Sequence, residues 1–154
     1  MSNLFNRLAN LPSRFAASIF NRQPDTRKDA RHLKFSGGDE AGRETVRQAF
    51  EDAAKMLRQK NLIKNSKHRI RRITFVPGGR YTPQSEWGFF DSASGQFVAG
   101  LCGGREIQLA VSPQTGAMNK RRGYRDARHE WGHAFLAVAH PNWSTEKHHA
   151  EMGF

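Results

Sequence analysis

The segment ARHEWGHAFLAVAH at positions 127–140 sets His129 and His133 four residues apart, with Glu130 following the first. Positions four apart on a helix lie on one face, one turn above the other. Two imidazoles placed so can take two corners of a zinc tetrahedron. Glu130 then stands beside the ion, where its carboxylate can take a proton from a bound water. The spacing has this meaning only on a helix, so it constrains the fold: the chain from Tyr124 to Ala139 has to be helical. Ala127, Ala134, Phe135, Leu136 and Val138 give that helix an apolar side to bury, and His140-Pro141 ends it.

The elements upstream follow from periodicity and from breakers. Val46, Phe50, Ala54 and Leu57 recur at helical spacing over 43–62, with acids early and bases late as the helix dipole favours. Asn61, Asn65 and Ser66 mark the end of that helix. His68 to Val76 is rich in β-branched and aromatic residues and predicts a strand, stopped by Pro77-Gly78-Gly79. Trp87 to Asp91 and Gln96 to Cys102 predict a hairpin about Ser92-Ala93-Ser94-Gly95, and Glu106 to Val111 a further strand. Helix, three or four strands, helix and a short tail make an α+β pattern with one small sheet.

A single cysteine, Cys102, excludes an internal disulfide and an all-cysteine zinc site, so a metal here would rest on histidines and carboxylates. Five of the seven histidines lie in the last 26 residues. Positive charge is biased the other way. Residues 1–80 hold 18 Lys and Arg against 7 acids, whereas residues 81–154 hold 7 of each, and the formal net charge is +11. Attachment in front and chemistry behind is the division this implies. Residues 2–20 carry Leu4, Leu8, Leu11, Phe15 and Ile19 as one helical stripe broken at Pro12 and decorated by Arg7 and Arg14. Such a segment suits an anionic membrane surface or a partner protein. The polar stretch 21–44 reads as a flexible linker. The expected division is therefore a basic amphipathic arm and linker over 1–44 and a single domain over 45–154. Lys64, Lys67, Arg69, Arg71 and Arg72, with Phe75 nearby for stacking, are the candidate nucleic-acid contacts. No apolar run reaches membrane-spanning length, and the expected location is cytoplasmic, or within a virion.

A catalytic zinc needs a third protein ligand and one open position. His140 stands two turns beyond His133, roughly 10 Å along the helix, which is too far to share the ion. It is expected to cap the helix instead. His148, His149 and Glu151 remain as candidates. The segment HEWGHAFLAVAHPNWSTEKHHAEM resembles the active-site region of SprT-like metallopeptidases, over about residues 125–154. The resemblance carries over His129, Glu130, His133 and Ala134, and it implies His148 as the third ligand. It further implies a zincin-like fold: a small, mostly antiparallel sheet packed on the helix bearing the two histidines, here preceded by a helical basic arm. By the same resemblance the chain would be a Zn2+-dependent peptidase with Glu130 as general base, and Glu106 to Val111 would be the edge that pairs with an extended substrate. Protein associated with DNA is one substrate that fits, and a peptidoglycan cross-link in a phage or cell-envelope setting is another. The competing expectation is a non-enzymatic, basic nucleic-acid-binding or virion protein whose metal site is vestigial.

Overall fold

The computed structural model describes residues 26–80 and 86–153, and the amphipathic segment expected at 2–20 lies outside them. Along the chain run β1 (Lys34–Ser36), α1 (Glu40–Gln59), β2 (Arg72–Pro77), β3 (Gly79–Arg80), β4 (Trp87–Asp91), β5 (Gln96–Val98), β6 (Gly100–Gly103), β7 (Glu106–Val111), α2 (Gly123–Ala139) and α3 (Thr145–Met152). The described residues are α+β, with three helices and two small sheets. No helix among them is long and apolar enough to cross a membrane.

Helix α1 begins where the Asp39 carboxylate accepts the Gly42 N–H at 2.7 Å. It closes at Asn61, whose φ of 59° turns the chain back so that the Leu62 N–H reaches the Leu57 carbonyl at 2.9 Å. Its buried stripe is Val46, Ala49, Phe50, Ala53, Ala54 and Leu57, the periodicity expected from the sequence. Arg47 pairs with Glu40 at 3.2 Å and Glu44 at 3.1 Å on the outer face. Solvated pairs of this kind contribute a few tenths of a kcal/mol each. Burying Phe50 or Leu57 is worth roughly 1.5–3 kcal/mol, so packing decides the position of α1.

The larger sheet has the order β1-β2-β7-β6. β1 pairs parallel with β2, and β2 parallel with β7; only β6 runs antiparallel, against β7. The larger sheet, expected to be mostly antiparallel, is therefore parallel except at its β6 edge. For β1 and β2 the reason is topological: α1 carries the chain back between them, and a crossover of that length returns a strand in the parallel sense. Between β2 and β7 the chain makes its crossover through β3 to β6. Part of the stretch read as linker is structured, since Lys34–Ser36 is β1 and α1 starts at Glu40. The second sheet, β3-β4-β5, is antiparallel throughout. The strand expected over 96–102 divides at Ala99: β5 pairs with β4, and β6 crosses to β7.

Phe50, Trp131, Phe135 and His68 form the aromatic centre of the core. The Trp131 indole N–H donates to the Val46 carbonyl at 3.2 Å, which ties α2 to α1. Phe75 is buried and stacks on Phe35, so it cannot stack a nucleic-acid base as the sequence suggested. Lys64, Arg69 and Arg72 are exposed.

His68 is fully buried. Its Nδ1 accepts the Ile70 N–H at 3.1 Å, which leaves Nε2 as the donor to the Asp29 carbonyl at 2.8 Å. Burial holds its proton affinity below that of a free histidine, against the weaker opposing effect of the Asp29 carbonyl. The unfolded chain thus binds more protons than the folded one once pH falls below about 6.5, so stability drops as pH falls from there. Two outcomes are expected from denaturant titrations at pH 7.5 and 5. His68→Leu should cost about 1–3 kcal/mol at pH 7.5, because the Asp29 carbonyl and Ile70 N–H lose their partner. The variant should also lose less stability than the parent between the two pH values; an equal loss would refute the assignment.

Candidate metal centre

Helix α2 is buried on several sides at once. Ala127, Trp131, Ala134, Phe135 and Leu136 are buried in the core. His129, Glu130 and His133 line a cleft of about 590 Å³. The opposite wall is β6, with Gly100 to Gly103, and α3 contributes Thr145, His148 and His149.

Three imidazoles converge in this cleft. His133 Nε2 lies 3.1 Å from His129 Nε2 and 3.0 Å from His149 Nε2. One ligand nitrogen from each of the three falls within 4.8 Å of the others, close enough to hold a metal ion. Burial first, and crowding by the neighbouring histidines second, push His129 down to about 4 and His133 down to about 3, with Arg125 adding to the effect at His129. Both rings are therefore neutral at pH 7, with lone pairs available to a cation. Nitrogen donors, their number and their spacing fit zinc.

The sequence placed His148 third in this set, whereas the structure brings His149 there. Adjacent helical residues point about 100° apart, so only one of the pair can face the cluster. His148 turns to the other side of His133, with the two Nδ1 atoms 3.0 Å apart. Glu151, the carboxylate alternative, is paired with Lys147. His140 caps α2 and stays out of the cluster as expected. Its Nε2 lies 2.7 Å from the Leu62 carbonyl, and its ring stacks on Trp143 at 3.7 Å.

Glu130 is buried against β6, and its proton affinity is pushed up to about 8. Burial is the main cause and the Asp126 charge adds to it; a hydrogen bond from the Cys102 backbone N–H opposes both. That hydrogen bond follows from strand register. The Ala110 N–H donates to the Ala99 carbonyl at 2.9 Å, and the pairing runs Gly100↔Leu109, Leu101↔Gln108, Cys102↔Ile107. Antiparallel bonding alternates, so Leu101 and Gly103 bond inward to β7 while Gly100 and Cys102 direct their backbone groups away from it. Gly100 has a further reason to lack a side chain: a Cβ there would sit 3.0 Å from Glu130 Oε1. The expected substrate edge, Glu106–Val111, is instead an interior strand between β2 and β6, and the edge of the sheet on the cleft is β6.

Asp126 sits 3.7 Å from Arg122, and burial raises its proton affinity to about 6. Cys102 is raised to about 12 by burial, and next by the Glu130 charge, so its thiol is no nucleophile at neutral pH.

Helix α3 has eight residues and few apolar ones, and its position depends on its ends. Ser144 accepts the Lys147 N–H at 3.1 Å, and Gly153 closes the other end in the left-handed conformation. Lys60, just past α1, donates to the Met152 carbonyl at 2.9 Å and the Glu151 carbonyl at 3.2 Å. Met152 packs over Gly132, where any Cβ would collide with its sulfur. Gly132, inside the spacer between the two α2 histidines, therefore lets α3 dock and deliver His149. Gly132→Ala improves intrinsic helix propensity by about 1 kcal/mol, yet overpacking here typically costs 1–3 kcal/mol. The expected result is a protein no more stable than the parent, whose three-histidine cluster holds an added divalent ion less tightly by chelator competition. A variant that is more stable and holds the ion as tightly would show that the contact does not matter.

No protein-family model matches the sequence, and neither a curated protein nor a solved structure matches it at a significant level.

Proposed function

We propose that the chain is a zinc-dependent metallopeptidase. The observation that carries this reading is the convergence of three imidazoles beside a buried carboxylate, in a cleft walled by a strand edge. His129, His133 and His149 would hold the ion. When bound, zinc supplies Lewis acidity toward a carbonyl and toward water.

Glu130 is the general base. It takes a proton from the attacking water and returns it to the leaving amine nitrogen, and its raised proton affinity suits a group with both tasks. The Cys102 N–H and the close approach of Gly100 fix the carboxylate in one place. Gly100 and the Cys102 carbonyl leave main-chain groups for an extended peptide, which would pair along β6 as an added strand. Arg69 at the cleft and the formal charge of +11 add attraction for anionic surroundings. Protein held on nucleic acid is the substrate class this charge favours.

Glu130→Gln tests the reading. The variant should retain its zinc by elemental analysis while cleavage of an extended peptide falls by about 10²–10⁴-fold. Undiminished cleavage would remove Glu130 from the mechanism, and a parent chain that stays metal-free after soaking in zinc would remove the mechanism itself.

A further inference from the structure

We infer that His148 is a positioning residue which fixes the tautomer and orientation of His133, and is not itself a metal ligand. The inference rests on the reading of His129, His133 and His149 as the metal-holding set. It begins with one ring: His133 places Nε2 among the other two imidazoles and turns Nδ1 toward His148 Nδ1 at 3.0 Å. A neutral imidazole has one N–H and one lone pair. If His133 offers the Nε2 lone pair to a cation, its proton is on Nδ1. The His148 Nδ1 is then the acceptor, and the His148 proton is on Nε2. A single hydrogen bond thus sets both tautomers.

The burial of His148 points the same way. The residue is 7 % exposed, and its Nε2 is buried with no hydrogen-bond partner among the described residues. An aliphatic side chain would fill this place without leaving a polar atom unmatched. Among the described residues the one polar contact of the ring is with His133, so that contact is the service a histidine performs here. Its geometry is set by α3 as a whole. The helical turn that swings His149 into the cluster swings His148 behind His133, and the Ser144 cap, the Gly153 cap and the Met152–Gly132 contact hold both at once. Ligating histidines characteristically donate their second nitrogen to an outer acceptor, and removal of that acceptor lowers metal affinity by about 10–100-fold. Here the acceptor is an imidazole, where a carboxylate or carbonyl is usual.

The experiment compares the full-length parent with His148→Leu, His148→Asn and His149→Ala. Zinc affinity is read by chelator competition, and coordination by the visible spectrum of the cobalt-loaded protein. His148→Leu should bind zinc about 10–100-fold more weakly. It should keep the shape and intensity of the parent's cobalt bands, and its metal-free melting temperature should not fall. His148→Asn can place Oδ1 where Nδ1 stood, and should recover most of the affinity. His149→Ala should change the cobalt spectrum itself, because a ligand is gone. A His148→Leu spectrum like that of His149→Ala would make His148 a ligand and overturn the inference. So would an affinity within about twofold of the parent, or an Asn variant no better than the Leu variant. A parent chain that takes up neither zinc nor cobalt would fail earlier and differently, by sinking the metal reading on which this one stands.

Discussion

Helix α2 has to satisfy two requirements with one run of residues. Trp131 and Phe135 must be buried against α1, while His129, Glu130 and His133 must face a cleft. The helical repeat reconciles them, because 131 and 135 share one face and 129 and 133 another. Everything else about the molecule can be read as support for this arrangement. The Trp131 bond to Val46 sets the rotation of α2 about its own axis, and β6 closes over Glu130. Rotation of α2 about its axis would carry the imidazoles of His129 and His133 away from His149. The aromatic core thus serves as the mounting for the polar groups as well as the main source of stability.

The electrostatic character of the site follows from the same packing. Burial is the largest cause of the shifts on His129, His133 and Glu130. It keeps the imidazoles neutral and makes the carboxylate hold its proton more tightly. Without a cation the cluster sets nitrogen lone pairs and a buried acid close together with little to balance them. A divalent ion balances both, which is why the arrangement reads as a holder and not as incidental histidines on a polar face.

Much of this was legible in the sequence, for local reasons. The stripe Val46, Phe50, Ala54, Leu57 and the spacing His129–His133 each specify a helix through contacts within a few turns. The hairpin of β4 and β5 announces itself through Ser92-Ala93-Ser94-Gly95. What stayed hidden depends on partners distant in the chain. β1 is three residues long in a polar stretch, and it exists because Arg72, Ile73 and Thr74 lie alongside it. The placement of β7 inside the sheet and β6 at its edge is a matter of strand order, which no local pattern encodes. Helix α3 lacks an apolar stripe and stands on its caps, on Lys60 and on Met152. Without a periodic stripe to mark the helix, the sequence does not show the phase that separates His148 from His149. Its signals, Ser144 before an acidic first turn and Gly153 after the last, were present but carried no periodicity to draw attention.

The reach of Lys60 across to the carbonyls of Glu151 and Met152 fastens the far end of α1 to the last turn of α3. His149 therefore owes its place to a bond between residues some ninety positions apart in sequence, as well as to its own helix. Fraying of the last turn of α1 would be felt at the imidazole cluster, although no residue of α1 lines the cleft. The trio of histidines is in this sense a gauge of whether remote parts of the domain are properly joined.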